Sequence, residues 1–231
     1  MIGMQVAIDG PASAGKSTVA KLIAQKLGFT YIDTGAMYRA CTFLARSHGL
    51  DYGDEAGILA LVEQTGIELR NIAGQQHVLV GTRDISHEIR KPEISAKVSQ
   101  VAALSGVRQK MVSLQRQMAG KVDVVMDGRD IGTTVLPDAQ VKIFLVASAR
   151  SRAQRRMLDL EEQGIKTTKT VAEIEADIAA RDYKDSHRAI SPLKKAVDAV
   201  EIDTTSMTIA EVVNKILRQI KKSQKKLQKR G

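Results

Sequence analysis

A short stretch near the start of the chain combines glycine, lysine and serine at a spacing suited to phosphate chemistry. In "AIDGPASAGKST", residues 7–18, the pattern G-x-x-x-x-G-K-[ST] is met by Gly10, Gly15, Lys16 and Ser17. Glycines let the backbone curl with its N–H groups pointing inward, the lysine reaches the β- and γ-phosphates, and the hydroxyl can bind magnesium. The stretch predicts a site for a nucleoside triphosphate.

The surroundings of this loop favour that prediction over a merely structural glycine-rich turn. An apolar strand precedes it, and an amphipathic helix with its N-terminal dipole end at the phosphates follows and ends at Gly28. Pro11 has no N–H, so the loop's donors are expected from Ala12 onward.

Two further stretches follow predicted strands and carry polar groups. In "YIDTGAMYRA", residues 31–40, Thr34 is expected to cap a helix that brings Tyr38 and Arg39 one turn further on. In "VVMDGRDIGTTVLPDA", residues 124–139, an apolar strand ends at two carboxylates that flank Arg129. Ligands of open α/β sheets bind beyond the carboxyl ends of strands, so both stretches predict binding. The alternatives are a surface arginine and a self-satisfied salt-bridge turn.

Arginines recur in the second half of the chain at helical spacing. Arg181, Asp185 and Arg188 are predicted to form one stripe on a helix, and a second helix carries Arg152, Arg155 and Arg156. Each stripe alone is typical of a solvated face. Beside a phosphate loop, the two together indicate the arginine clamp of phosphoryl transfer.

The segments that must position these residues alternate between short apolar runs and helical patterns. We predict core strands at 5–9, 30–32, 123–126, 141–146 and 199–202, which form a parallel sheet covered by helices. The fold class is α/β. No run of apolar residues is long enough to span a membrane.

Two excursions from this core are predicted. Residues 67–85 read as short antiparallel strands that turn around Ala73–Gly74 and Gly81, within an insert at about 61–101. A lid is expected at about 151–189, with helices that start near Ser151 and at a capping box of Thr170 and Glu173, joined by the polar loop "EEQGIKTTK". The core then comprises about 1–60, 102–150 and 190–218.

The chain's positive charge is concentrated at its C-terminal end. Of a net charge of +9, eight units follow Glu211, which leaves +1 for the rest of the chain. We predict that residues 219–231 are a frayed, solvated tail whose removal leaves turnover unchanged, with contact to RNA or a membrane surface as the alternative. Cys41, the single cysteine, cannot form an internal disulfide, and the N-terminus has no secretory leader, so a cytoplasmic protein is expected.

The nature of the phosphate acceptor is narrowed by what is missing from the sequence. An Asn-Lys-x-Asp guanine reader is absent, since the only Asn-Lys pair, Asn214–Lys215, is followed by Ile and Leu. Motor ATPases are usually larger. A small chain with an insert and a lid therefore favours a kinase for a small acceptor.

Five stretches together resemble one particular family of such kinases. "IDGPASAGKST", "YIDTGAMYRA", "VSQVAALSGVRQ", "DGRDIGTTVLPDAQVKIFL" and "RDYKDSHRAISPLKKA" occur in this order, and the chain resembles the bacterial cytidylate kinases. The loop ends in Lys-Ser-Thr where some relatives have Lys-Gly-Thr, and Thr34 stands where serine is often found; both positions keep a hydroxyl.

The resemblance implies a P-loop kinase fold with a five-stranded parallel sheet, an antiparallel insert that binds the nucleoside monophosphate (NMP), and a short lid. It implies magnesium-assisted transfer of the γ-phosphate of ATP to CMP or dCMP by a monomer. Magnesium would bind at Ser17. The catalytic residues would be Lys16, Arg129, Arg181 and Arg188.

The resemblance also assigns residues to the two nucleotides. The ATP side would comprise Gly10, Pro11, Ala12, Ser13, Ala14, Gly15, Lys16, Ser17, Thr18, Arg152 and Arg156. The cytosine would be read by Ser99, Arg108 and Asp130. The rest of the CMP side would comprise Thr34, Tyr38, Arg39, Asp127, Arg129, Arg181, Asp185 and Arg188.

Two other functions stay open at this point. One is a kinase for UMP, AMP or shikimate, which the base-facing residues disfavour. The other is a nucleotide-dependent RNA-binding or regulatory protein, which the near-neutral body and an aromatic content of 3% disfavour.

Overall fold

The computed structural model describes residues 3–72, 75–120, 122–162 and 164–228. Its central sheet has five parallel strands in the order β2-β6-β1-β7-β8, which confirms the predicted α/β class. The strands are β1 (Gln5–Asp9), β2 (Thr30–Asp33), β6 (Val124–Gly128), β7 (Val141–Val146) and β8 (Val200–Asp203). Each predicted core strand is confirmed to within two residues at either end.

Helices cover the sheet on both faces. They are α1 (Lys16–Leu27), α2 (Thr34–Ser47), α3 (Glu55–Thr65), α4 (Pro92–Val101), α5 (Ser105–Ala119), α6 (Ala149–Glu162), α7 (Val171–His187) and α8 (Ile209–Gln228). The apolar stripe of α1 packs Val19 and Ile23 into the core beneath the sheet. Gly28 ends this helix in the left-handed conformation, and its N–H donates to the carbonyl of Ala24.

The register of the strands brings the candidate residues to one edge of the sheet. Asp9 at the end of β1 lies beside Gly128 in β6, and Asp33 at the end of β2 lies beside Asp127. Because parallel strands point the same way, the phosphate loop and the two following stretches all start from this edge. The edge is the expected place for a ligand in an open α/β sheet.

The predicted insert contains a separate antiparallel sheet. β3 (Ile67–Ile72), β4 (Gln75–Val80) and β5 (Arg83–Asp84) pair in that order, and β4 and β5 join at Gly81 as expected. The turn predicted at Ala73–Gly74 lies outside the described residues. The approximate insert boundary predicted at residue 61 falls within the continuous helix α3.

The predicted lid consists of α6 and α7, which pack against each other. The capping box at the start of α7 is confirmed: the Thr170 hydroxyl accepts from the Glu173 N–H, and the Glu173 carboxylate accepts from the Thr170 N–H. Gln163 of the predicted loop lies outside the described residues. Arg188 follows α7 in extended backbone, so the predicted three-residue helical stripe ends at Asp185.

The structure corrects the prediction of a frayed tail from residue 219. Helix α8 continues to Gln228, and Ile220 is fully buried against the central sheet with Val213 and Ile216. The helical period puts the lysines on one face and the apolar residues on the other, so packing of the apolar face extends the helix beyond the sequence-based boundary. None of the described helices has the length and apolar character that crossing a bilayer requires.

Candidate active site

The phosphate loop joins β1 to α1 and depends on two glycines in backbone conformations that other residues avoid. Gly10 has a φ of 147°, and a Cβ there would lie 2.1 Å from the carbonyl oxygen of Leu145. Gly15 has a φ of 87° immediately before the helix. Lys16 is buried at the helix start, and its ammonium donates to the Pro11 carbonyl at 2.6 Å. Burial, reinforced by the charge of Arg129, lowers the pKa of Lys16 to about 7.

A second contact of the loop joins Ser17 to Asp127 in β6. The Ser17 hydroxyl donates to one carboxylate oxygen of Asp127 at 2.9 Å, and the Tyr31 hydroxyl donates to the other at 2.7 Å. Burial, with Asp33 nearby, raises the pKa of Asp127 to about 6. From the sequence, Asp127 is expected on the CMP side, whereas in the structure its carboxylate contacts Ser17 of the phosphate loop.

Ala12 in the loop is held by both of its backbone polar groups. Its N–H donates to the Asp182 carboxylate on α7 at 3.0 Å, and its carbonyl accepts from Arg152 on α6 at 3.2 Å. Arg152 and Asp182 also form an ion pair with each other. The Ala12 N–H is thus already used, which corrects the expectation that free donors start at Ala12. Arg152 is buried behind the loop and does not line the cleft described below.

A buried pair of opposite charges marks the other half of the site. Arg108 on α5 and Asp130 after β6 lie 3.3 Å apart and are almost completely buried. The guanidinium of Arg108 also donates to the Tyr38 hydroxyl at 3.0 Å, and Arg188 approaches the second oxygen of Asp130 to 3.5 Å. Burial raises the pKa of Asp130, and the charges of Arg108 and Arg188 oppose this rise.

Asp185 on α7 joins residues from two other elements. Its carboxylate accepts from the Ser99 hydroxyl on α4 at 3.0 Å and from Arg129 after β6 at 3.1 Å. Arg181, one turn earlier on α7, is half-buried close to Arg129, and its desolvation together with that neighbour lowers the pKa of Arg181 to about 10. These contacts tie the predicted lid to the insert and to the core.

Arg39 pairs with Asp33 rather than with a residue of the insert or lid. The two groups lie 2.9 Å apart. Asp33 also caps α2 by accepting from the Ala36 N–H, so the expectation that Thr34 caps this helix is wrong. Thr34 begins the helix instead, and its hydroxyl donates to the Asp127 carbonyl at 2.8 Å.

Gln76 links the insert to β2, the outermost strand on one side of the central sheet. Its side-chain amide donates to the Tyr31 carbonyl at 2.6 Å and accepts from the Asp33 N–H at 3.2 Å. This is the pairing that a neighbouring strand would make with β2, supplied by one side chain of β4. The amide therefore anchors the segment that carries Asp33 and Thr34.

The two halves open into one cleft of about 560 Å³. Its lining includes every predicted site residue except Gly10, Pro11 and Arg152. Among the described residues, several buried guanidinium nitrogens that belong to this lining have no hydrogen-bond partner: Nε of Arg39, Arg108 and Arg181. Buried donors without partners are uncommon in folded proteins, so the cleft is suited to an anionic ligand.

Comparison with known proteins identifies the family of this chain. A family model described as "Cytidylate kinase" matches residues 6–222. The chain belongs to the cytidylate kinase family. It is 64% identical over 222 residues to a cytidylate kinase of Lactobacillus gasseri, a match that covers 96% of each chain. A cytidylate kinase of Streptococcus mutans is 54% identical, with 93% of this chain and 94% of the relative covered.

A solved structure supports the fold alone. The gluconokinase from Sinorhizobium meliloti 1021 superposes with a TM-score of 0.51 at 13% identity, and the match covers 99% of this chain and 97% of that one. The family model and the relatives confirm the resemblance to the cytidylate kinases that the sequence motifs indicate.

Several residues that line the cleft of this cytidylate kinase family member were not predicted from the sequence. They include Lys21, Asp33, Gly35, Arg90, Ser95 and Asp159. Asp33 could have been found, because it precedes the helix in a position typical of an N-cap. Arg90 and Asp159 lie on separate elements in the insert and lid, and no local pattern distinguishes them from solvated surface charges.

Proposed function

We propose that the protein transfers the γ-phosphate of ATP to CMP or dCMP and releases ADP with CDP or dCDP. Membership of the cytidylate kinase family supports the acceptor, and the phosphate loop supports the donor. The observation that carries the proposal is the buried pair of Asp130 and Arg108, which lines the same cleft as that loop.

On the donor side, Lys16 is suited to the β- and γ-phosphates, whose negative charge favours the protonated ammonium. Magnesium fits the neighbouring oxygens, because a serine hydroxyl and one carboxylate, with the nucleotide phosphates, are the hard ligands that this ion prefers. Ser17 would hold it directly, and Asp127 would bind it or orient Ser17. When bound, the ion neutralises the charge that develops on the phosphate oxygens.

On the acceptor side, arginines surround the place for the CMP phosphate. Arg39 and Arg129 would bind that phosphate, and Arg181 and Arg188, which also line the cleft, would reach it from the lid. The attacking group is a phosphate oxygen that is already ionised at neutral pH, so no general base is needed. Catalysis then consists of holding this oxygen in line with the γ-phosphate and of stabilising charge.

The base would be read by buried polar residues that line the cleft. Cytosine has an amino donor at N4 beside acceptors at N3 and O2, whereas uracil has an acceptor at O4 and a donor at N3. Asp130 and Ser99 can accept from N4, and Arg108 can donate to N3 or O2. Uracil would face the Asp130 carboxylate with an oxygen, a mismatch of about 1–3 kcal/mol.

A coupled ATP assay against all ribo- and deoxyribonucleoside monophosphates tests this proposal. We expect kcat/KM for CMP to exceed that for UMP at least about tenfold, as one mispaired polar group at a binding site requires. Asp130→Ala should reduce this ratio mainly by loss of CMP turnover. Asp138→Ala is the matched control, because this carboxylate is exposed after β6 and does not line the cleft.

Two results would contradict the proposal. One is a wild-type enzyme that uses UMP, AMP or shikimate as well as CMP, and the other is an unchanged CMP:UMP ratio in Asp130→Ala. We further propose that the enzyme acts as a cytoplasmic monomer, since one chain supplies every contact proposed above. Light scattering at working concentration tests the monomer.

A further inference from the structure

Helix α8 has two faces of opposite character. One face is apolar and buried, with Val212, Val213, Ile216 and Ile220 packed into the core. The other face is cationic and exposed along nearly the whole helix. Its described members are Lys215, Arg218, Lys221, Lys222, Lys225 and Lys226. At 3.6 residues per turn these six side chains share one half of the helix circumference.

Apart from Lys215, whose charge acts on Glu211 one turn earlier, these cations have no counter-charge on the helix. No acidic residue follows Glu211, and within the described part of the chain none of the six forms an ion pair. The family model matches residues 6–222, so Lys225 and Lys226 lie beyond the matched segment. Catalysis in the cleft does not account for this cationic face.

The cationic face lies at the opposite end of the sheet from the cleft. The Ser223 hydroxyl donates to the carbonyl of Gln140, just before β7 begins, and the Gln140 side chain accepts from the N–H of Gln5 at the start of β1. The C-terminal half of α8 therefore lies at the amino ends of the strands, whereas the cleft opens at their carboxyl ends. A partner bound there leaves the cleft free.

We propose that this cationic face binds the phosphate backbone of duplex DNA without regard to sequence. Duplex DNA carries one negative charge per about 1.7 Å of its axis, and six lysines and arginines on one rigid helix face match a dense line of phosphates. An α-helix also fits the wide major groove of B-form DNA, with phosphates on either side, but not the narrow major groove of duplex RNA.

The structure argues against the two other polyanions. A membrane-bound amphipathic helix inserts its apolar face, but here the middle of that face is covered by the core. The large apolar residues of α8 that are exposed, Ile209 at 53% and Leu227 at 48%, lie at opposite ends of the helix. Single-stranded nucleic acids are bound by aromatic stacking, and α8 has no aromatic residue.

Fluorescence anisotropy of the full chain with a labelled 20-base-pair duplex of arbitrary sequence tests the proposal. We expect affinity to fall with salt at a log–log slope of about −0.9 per phosphate contacted. Replacing four lysines, in Lys221→Gln, Lys222→Gln, Lys225→Gln and Lys226→Gln combined, should reduce the magnitude of the slope by up to about 3.6. Turnover of CMP should not change, with or without DNA.

A control variant with the same change in charge distinguishes a DNA site on α8 from general electrostatic attraction between DNA and the protein. It combines Lys97→Gln, Lys166→Gln, Lys184→Gln and Lys194→Gln, four exposed lysines that neither line the cleft nor belong to α8. This control should bind DNA as the wild type does. Equal loss in both quadruple variants would overturn the proposal. Tighter binding to single-stranded RNA, to duplex RNA or to anionic phospholipid vesicles than to duplex DNA would also overturn it.

Discussion

The two halves of the cleft are built in different ways. The donor half comes mostly from one continuous stretch, in which the glycines, Lys16 and Ser17 are neighbours along the chain. The acceptor half takes Tyr38 from α2, Ser99 from α4, Arg108 from α5 and Asp185 from α7, with Asp130 after β6. One half is therefore local and the other depends on distant packing.

This difference has an energetic consequence. Backbone curvature fixes the donor loop, and its lysine is held by a carbonyl of the same loop. The acceptor half instead holds charged side chains by one another, as in the buried pairs Arg108–Asp130 and Arg129–Asp185. Removing one partner of such a pair leaves a buried charge uncompensated. Substitutions in the acceptor half should therefore affect folding and binding together, and those in the loop should affect mainly transfer.

Lys16→Ala should have the largest effect. It removes a fixed cation from the place where charge develops, so we expect turnover to fall by about 10²–10³ or more with an intact fold. Steady-state kinetics and circular dichroism of the variant measure this, with Lys26→Ala on the exposed side of the same helix as the control. Near-normal turnover in folded Lys16→Ala would remove this lysine from the mechanism.

Asp127→Asn should change activity and stability in opposite directions. We expect kcat/KM to fall by about 10², as for loss of one transition-state contact. The wild-type rate should decline as the pH falls through about 6, the pKa to which burial raises Asp127, because the protonated group no longer binds cations.

The raised pKa of Asp127 also predicts whether Asp127→Asn is more or less stable than the wild type. A carboxyl group whose folded pKa is raised stabilises the fold below its unfolded pKa, and this contribution is lost as the pH rises through the folded pKa. At pH 8, Asp127→Asn should therefore melt above the wild type, and the difference should narrow towards pH 4. Differential scanning calorimetry at both pH values checks this; a variant that melts lower at pH 8 would contradict the assigned direction.

Arg39→Ala and Arg129→Ala should weaken CMP binding more than ATP binding. One charge-assisted hydrogen bond contributes about 1.5–3 kcal/mol, or about 10- to 150-fold in affinity. Isothermal titration of each variant with both nucleotides measures the difference, and Arg46→Ala, exposed near the end of the same helix as Arg39, is the control. Equal losses for the two nucleotides would place the arginine outside the acceptor half.

Asp182→Asn should have a smaller effect on the donor half. This carboxylate holds the Ala12 N–H and pairs with Arg152, so its loss should loosen the loop and raise KM for ATP about threefold to tenfold, within the range of one hydrogen bond. KM for CMP should change less. Asp177→Asn on the same helix, whose carboxylate is exposed and pairs with Lys169, should leave both constants unchanged. A rise confined to CMP would show that Asp182 acts on the acceptor half.

Truncations of α8 should have the smallest effect on the cleft. Removal of residues 224–231 should change neither turnover nor melting temperature. Removal from residue 219 onward, expected from sequence to be silent, should destabilise the protein because it deletes the buried Ile220. We expect a loss of about 2–5 kcal/mol in the free energy of unfolding, as for large-to-small core changes. Equal melting temperatures for the two truncations would contradict the packing of α8.

The sequence predicted what depends on residues close together in the chain. The phosphate loop, the core strands, the end of α1 at Gly28 and the capping box at Thr170 follow from spacing, periodicity and backbone preference over a few residues. Such features depend on short-range geometry, and the structure has each of them where the sequence predicts it.

Only the tertiary structure decided which distant groups meet. It brought the Asp127 carboxylate to Ser17, joined Asp182 and Arg152 to Ala12, gave the α2 cap to Asp33 and seated Ile220 in the core. These partners are separated by many residues or compete with equally suitable neighbours. Their selection follows from sheet order and helix packing, which minimise buried unpaired charge and exposed apolar surface over the whole chain.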